Sequence, residues 1–165
     1  MSYLAKLLVV LFSLYTLTGC SIHSYAPTIT LEEYPFRHNE FDYHYAWKTG
    51  ATNKGFVVEG FLKNVRYAYI SEMLLTVKLL DKAGKVRAEA SDFPMPQQSQ
   101  TGDPCNFKVL FKTVQPADGD VLLFDIRYTG DDGQDSGFTW RSSFKADART
   151  GTVIAPYTEK RGSRF

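Results

Sequence analysis

The chain has 165 residues, of which 44% are hydrophobic and 15% aromatic, and 19 Lys and Arg face 18 Asp and Glu. This length predicts one domain with enough apolar residues to form a core. The near-neutral charge argues against a nucleic-acid binder, which would carry a basic excess on one face. Two cysteines exclude a disulfide-dense miniprotein and a four-ligand zinc cluster of cysteines.

The first 19 residues are typical of a secretory signal peptide. Lys6 is followed by an apolar run, residues 7–14, which is too short to cross the roughly 30 Å hydrocarbon core of a bilayer. The run leads into Leu17-Thr18-Gly19-Cys20, which resembles the bacterial lipobox. That resemblance implies cleavage before Cys20, diacylglycerol on its thiol and an acyl chain on the new N-terminus. The alternative is an ordinary signal peptide with a coincidental cysteine.

The lipid on Cys20 would be a permanent membrane anchor, because each buried methylene contributes about 0.8 kcal/mol and three chains add up. Ser21 stands where an aspartate often signals retention in the inner membrane, so the resemblance implies the outer membrane of a bacterial envelope, facing the periplasm. Removal of residues 1–19 takes away Lys6 and leaves 18 positive against 18 negative side chains. Attraction to anionic lipid is therefore not needed, and no cofactor is expected beyond the lipid. Residues 20–37 are predicted to be a tether.

Residues 38–147 are predicted to form an all-β domain, an antiparallel β-sandwich of about seven strands, because apolar residues recur at every second position in short runs. Turns are predicted at 81–84, 116–120 and 130–137, and an irregular proline-containing loop at 93–104. Residues 148–165 are predicted to be a frayed C-terminal tail. The predicted strands are 41–48, 56–63, 70–80, 86–90, 105–112, 122–128 and 138–145.

One motif resembles a known family. Val58-Glu59-Gly60-Phe61-Leu62-Lys63-Asn64, followed by residues 75–81 and Gly84-Lys85-Val86, is similar to the FxLYD-type immunoglobulin-like repeats of bacterial envelope proteins. The resemblance covers residues 56–128. It implies that the antiparallel β-sandwich is immunoglobulin-like and that it is a binding or spacing module, and the family has no catalytic residues to carry over.

A polar pattern at residues 38–44 raises the question of a metal site. In an unbroken strand, His38, Glu40, Asp42 and His44 would share one face, and imidazoles with carboxylates can hold a divalent ion. His38 and His44 would lie about 20 Å apart along the strand, so one ion cannot bridge them. His44 with Asp42 is then the remaining candidate pair, and we favour a solvated polar face over an aromatic core face.

Two further patterns have ordinary explanations. Asp131, Asp132 and Asp135 suggest calcium, but they lack the ligand spacing and distal glutamate of an EF-hand, and a hairpin rich in Gly and Asp needs no ion. Cys105 would be the only thiol after lipidation of Cys20, and its apolar neighbours at 107, 109 and 111 favour burial. No phosphate-binding loop, zinc-protease motif or serine-hydrolase motif occurs, so we predict that the protein is not an enzyme.

The remaining functional signal is aromatic density, since ten aromatic residues fall between positions 34 and 69. Most would fill the core, and a minority would form an interaction surface. Together with the lipobox, this aromatic density predicts a lipid-anchored envelope protein. Its sandwich would bind or scaffold another envelope protein, and no nucleic-acid partner is expected. A glycan- or peptidoglycan-binding module is the first alternative, and a metal-binding or enzymatic periplasmic protein is the second. The candidate surface residues are Tyr43, Tyr45, Trp47, Tyr67 and Tyr69.

Overall fold

The computed structural model describes residues 33–133 and 136–156. Nine strands joined by turns and loops make up this part of the chain. Their bounds are Phe36–Asn39 (β1), Tyr43–Thr52 (β2), Gly55–Asn64 (β3), Tyr69–Leu80 (β4), Val86–Asp92 (β5), Pro104–Lys112 (β6), Val121–Asp131 (β7), Ser136–Asp147 (β8) and Val153–Pro156 (β9).

The strands form two antiparallel sheets that pack face to face. One sheet has the order β1-β2-β3-β6 and the other β5-β4-β7-β8-β9. This confirms the predicted all-β antiparallel sandwich. Among β2 to β8, three strands lie in one sheet and four in the other, and the chain changes sheet after β3, β5 and β6. Such crossings between sheets characterise immunoglobulin-like sandwiches.

The core lies between the sheets and takes every second residue of the long strands, as the alternation predicts. Its centre is aromatic: the rings of Phe124 and Phe144 stack with centroids 4.7 Å apart, and Trp47 lies 5.1 Å from Phe124. Such pairs add about 0.5–1.5 kcal/mol beyond the burial of their area. The residues predicted to face inward and found buried are Met73, Leu75, Val77, Leu79, Phe107, Val109, Phe111, Leu122, Phe124, Ile126 and Tyr128.

Gly60, in the motif on β3, lies directly opposite Trp47 on β2. A Cβ atom at Gly60 would stand 2.1 Å from the carbonyl oxygen of Ala46 and 2.8 Å from the Cα atom of Trp47. Both neighbours are backbone atoms, which cannot move aside without disturbing the strand pair. The glycine therefore lets the backbones of β2 and β3 approach closely beneath the Trp47 ring.

Strand β4 contains a bulge that the alternation does not show. Its register with β7 shifts between Ser71 and Leu74, and Glu72 has a φ of 50°, in the left-handed region. The extra residue changes which positions face inward. Ile70 is consequently buried, whereas its neighbour Tyr69 is turned outward.

The structure corrects three boundaries. The predicted strand start at Phe41 is wrong, and residues 38–44 are not one unbroken strand, because β1 ends at Asn39, the chain reverses at 40–42 and β2 begins at Tyr43. The sandwich begins at Phe36, inside the segment predicted to be tether. It also continues past residue 147, because β9 pairs with β8 where a frayed tail was predicted.

The connecting segments gather at the two ends of the sandwich. Residues 40–42, 65–68, 97–103 and 131–133 lie together at one end, because Tyr43 pairs with Asn64 and Tyr69 with Asp131. We call these four segments the loop end. In immunoglobulin-like variable domains the loops at one end form the binding site.

Candidate interaction surface

Asn64, the last residue of β3, ties the loop end together. Its side chain is buried, and its Nδ2 donates to the carbonyl oxygens of Ala68 at 3.1 Å and Ser99 at 3.5 Å. Its Oδ1 accepts a hydrogen bond from the backbone N–H of Arg66 at 2.9 Å. The backbone N–H of Gly102 also donates to the Asn64 carbonyl oxygen. One amide therefore holds two loops in fixed positions relative to β3.

We expect Asn64→Ala to lower the free energy of unfolding by about 2 kcal/mol, because it removes these bonds and leaves buried groups without partners. Urea unfolding followed by circular dichroism measures the change. Asn106→Ala, an exposed asparagine on the neighbouring strand β6, is the control and should cost less than about 0.5 kcal/mol. Equal losses for the two variants would contradict the role of Asn64.

A buried carboxylate stands behind the same loops. Asp42 is 2% exposed, and it accepts hydrogen bonds from the hydroxyl of Tyr128 and, at 3.3 Å, from Nη1 of Arg66. The backbone N–H of Val65 donates to its carbonyl oxygen. Burial, followed by the hydrogen bond and negative charge of Asp42, raises the pKa of Tyr128 well above its ordinary value. The tyrosine therefore keeps its proton and acts as the donor.

Arg66 connects this buried carboxylate to the surface. Its guanidinium carbon lies 4.5 Å from the ring centroid of Phe138 and 5.0 Å from that of Trp140, both on β8. A guanidinium at these distances is attracted to the ring faces. The arginine thus fixes the inner side of the β7–β8 hairpin against the turn at 40–42.

Exposed aromatic side chains concentrate around the loop end. Phe41 is 80% exposed, Tyr67 89%, Tyr69 41% and Trp140 42%. Phe41 lies in the segment 40–42, Tyr67 in the segment 65–68 and Trp140 on β8, while Tyr69 directly follows 65–68 and faces outward because of the β4 bulge. Solvent-exposed Tyr and Trp side chains are typical anchors of interfaces. Their gathering at one end makes the loop end the candidate interaction surface.

A cleft of about 320 Å³ opens beside two of these rings. It lies between the loop at 65–68, the loop at 97–103 and the β7–β8 hairpin. Its walls combine aromatic rings, an amide, a hydroxyl and two carboxylates, a mixture suited to a polar ligand with a flat or charged group. The lining residues are Tyr67, Ala68, Tyr69, Gln100, Thr101, Asp131 and Asp132.

Three of the five predicted surface aromatics are wrong. Tyr43, Tyr45 and Trp47 are buried in the core, because the inward face of β2 carries the odd-numbered residues. Burial raises the pKa of Tyr43 and of Tyr45 far above ordinary values, as expected for hydroxyls removed from water. Only Tyr67 and Tyr69 lie at the surface, and Phe41 and Trp140 join them there.

The candidate metal pair is also wrong. The turn at 40–42 places exposed His44 away from Asp42, whose carboxylate is taken by Tyr128 and Arg66. His38 instead bonds to Glu40 at 2.6 Å and packs 4.3 Å from the Phe144 ring. Over residues 33–133 and 136–156, no group of three or more His, Cys, Asp or Glu could hold a metal ion.

The acidic hairpin forms its own turn. Oδ1 of Asp131 accepts a hydrogen bond from the backbone N–H of Gly133 at 2.7 Å, and Gly133 has a positive φ of 84°. Such a bond between an aspartate side chain and a backbone N–H two residues later is common in turns rich in Gly and Asp. Asp131 and Asp132 line the cleft, while Asp135 lies outside the described residues.

The burial predicted for Cys105 is confirmed. The thiol lies in the core with no exposed area, and burial raises its pKa. A thiol held protonated is a poor nucleophile.

The predicted lipidation site, Cys20, and the lipobox residues Leu17, Thr18 and Gly19 lie outside the described residues. Within the part of the chain that is described, no helix is long and apolar enough to cross a membrane.

Comparisons with known proteins add no relative to this picture. A scan against models of protein families, a search of curated proteins and a search of solved structures each found no match to the chain. The description of the fold and of the cleft therefore uses only the residues of this chain.

Proposed function

We propose that this protein is a lipid-anchored component of a bacterial cell envelope, more specifically of the outer membrane facing the periplasm. Its sandwich binds or scaffolds another envelope protein and performs no catalysis. The observation that supports binding is the concentration of Phe41, Tyr67, Tyr69 and Trp140 at the loop end. The lipobox resemblance at Leu17-Thr18-Gly19-Cys20 supports the anchor.

The direction of β1 suits such an arrangement. This strand begins at Phe36, opposite Trp47, and runs toward the loop end, which it reaches at Asn39. The described chain therefore enters β1 on the side away from the loop end. The exposed aromatics would remain accessible to a partner while the lipid stays in the membrane.

A glycan- or peptidoglycan-binding module is the second candidate function. The cleft favours it through Tyr67 and Tyr69, whose rings could stack on sugars, and through the hydrogen-bonding side chains of Gln100 and Thr101. A metal-binding or enzymatic periplasmic protein is the third candidate. The described residues include no cluster of His, Cys, Asp or Glu side chains that could hold a metal ion.

We expect Cys20→Ser to release essentially all of the protein from the membrane fraction of the native host. The serine hydroxyl cannot form the thioether that carries diacylglycerol, and anchoring depends on those acyl chains. Membrane fractionation and intact-mass analysis measure the change. Cys105→Ala removes the other cysteine and should leave both lipid mass and membrane retention unchanged. Wild-type protein without added lipid mass would contradict the anchor.

Partner capture tests the binding surface. Tagged full-length protein is purified from detergent-solubilised envelopes, and its co-purifying proteins are quantified. We expect Tyr67→Ala combined with Tyr69→Ala to reduce capture of the main partner at least about tenfold, the size of a hot-spot loss. Phe93→Ala is the matched control, because Phe93 is an exposed aromatic away from the loop end. Equal capture by both variants, or no specific partner with wild type, would contradict the proposal.

A further inference from the structure

We propose that the cleft beside Tyr67 binds a basic side chain, a guanidinium or ammonium group, carried by a peptide segment of the partner protein. This inference rests on the proposed binding function and names the partner's chemistry. It assigns the cleft, rather than the whole loop end, as the place where recognition occurs.

The walls of the cleft are complementary to a cation. Tyr69 and Asp131 are cross-strand partners on β4 and β7, so a ring and a carboxylate stand side by side on the outer face of their sheet. Tyr67 adds a second exposed ring and Asp132 a second carboxylate. The described residues that line the cleft include no Lys, Arg or His. Attraction to ring faces and charge-assisted hydrogen bonds would therefore act on the same cation.

The protein already holds one guanidinium in this way. Arg66, next to Tyr67 in the chain, pairs with the Asp42 carboxylate while its guanidinium lies over Phe138 and Trp140. That arrangement combines aromatic faces with a carboxylate on the inner side of the β7–β8 hairpin. The cleft repeats the combination of aromatic rings and carboxylates on the outer side of the hairpin.

The size of the cleft also favours a single side chain. A volume of about 320 Å³ lies at the lower end of ligand pockets, which run from roughly 300 to 1,000 Å³. An Arg or Lys side chain with its flanking backbone fits such a space. A neutral sugar would gain no Coulomb attraction from the two carboxylates, so charge selects the basic segment over the glycan.

Fluorescence anisotropy with two peptide probes tests the inference on the full-length lipoprotein in neutral detergent. One probe is a labelled Gly/Ser heptapeptide with two arginines, and the other has citrulline, the uncharged isostere, at both positions. We expect the arginine probe to bind at least about tenfold tighter, and its affinity to fall as salt rises from about 50 to 300 mM.

The carboxylates are tested with Asp131→Asn combined with Asp132→Asn. Asparagine keeps an oxygen that can accept the Gly133 N–H, so the hairpin is retained while the charge is lost. We expect this variant to bind the arginine probe no better than the citrulline probe. Asp118→Asn, an exposed carboxylate at the opposite end of the sandwich, is the matched control and should leave affinity unchanged.

Equal binding of the two probes would overturn the inference, and so would full affinity of the Asp131→Asn and Asp132→Asn variant for the arginine probe. A third contradicting result would be Tyr67-dependent binding of a tetramer of N-acetylglucosamine together with no binding of the arginine probe. Partner capture separates this failure from that of the proposed function. If capture needs Tyr67 and Tyr69 but not the two carboxylates, the binding function stands and the basic segment is excluded.

Discussion

Asp42→Ala is expected to lower the free energy of unfolding by about 3 kcal/mol. The substitution leaves the buried hydroxyl of Tyr128 without its acceptor and removes the counter-ion of Arg66. Breaking a fully buried ion pair costs about 3–5 kcal/mol, and we take the lower end because the Arg66 side chain is 22% exposed and reaches some water. Urea unfolding with an unchanged m-value measures this loss.

Two control variants separate the causes. Asp118→Ala breaks an exposed ion pair with Arg149 and should cost less than about 1 kcal/mol. Asp42→Asn keeps an acceptor for Tyr128 and removes only the charge, so its loss should fall between the other two. If Asp42→Ala costs no more than Asp118→Ala, the buried carboxylate does not stabilise the loop end.

Removal of the Asp42 carboxylate should also change the environment of a surface aromatic residue. Arg66 lies over Phe138 and Trp140 while Asp42 holds its other side. Without the carboxylate, the arginine would be freed to leave these rings for water. We therefore expect the tryptophan fluorescence of the folded variant to change at Trp140, since the other tryptophan, Trp47, is enclosed in the core.

Alternation along the chain predicted the long strands because each has one buried face. Leu122 to Tyr128 on β7 shows this: four apolar or aromatic residues at spacing two all face the core. The same reasoning placed the start of the strand at Phe41 rather than Tyr43, because polar and aromatic residues continue to alternate through a turn that contains neither Gly nor Pro. Alternation of polar and apolar residues at every second position shows which face of a strand is exposed, but it does not show where the chain turns and a new strand begins.

The site depended on features that local sequence does not record. Tyr69 reaches the surface because of a bulge marked only by Glu72, a residue with no particular preference for positive φ. Asp42 and Tyr128 are 86 positions apart, and Asn64 and Ser99 are 35 apart, so their hydrogen bonds arise from tertiary packing. The motif ending in Asn64 was visible in the sequence, although its role in holding two loops was not.

Aromatic density in the sequence did not assign individual aromatic residues to the core or to the surface. Tyr43, Tyr45 and Trp47 share one face by alternation, and that face is the core. Tyr67 lies in a connecting loop, where exposure follows from position between strands. Position in a loop therefore indicates exposure of an aromatic residue better than its residue type does.

Trp47→Ala tests that correction most severely, with an expected loss of about 3–5 kcal/mol in the free energy of unfolding. The indole is fully buried between the sheets and contacts the rings of Phe124 and Phe144, so alanine leaves a large cavity. Thermal unfolding and urea unfolding measure the change.

Trp47→Phe is the matched control, because it fills most of the space and removes an Nε1–H that has no hydrogen-bond partner among the described residues. Its loss should be only about 1–2 kcal/mol, since the deleted N–H is a buried group that water would otherwise solvate. A surface anchor would behave differently from a core residue: Trp47→Ala would then unfold at the wild-type temperature and yet lose its partner. That result would return Trp47 to the interaction surface. A large loss of stability in Trp47→Ala, with a smaller loss and normal partner capture in Trp47→Phe, is the result expected for a core residue.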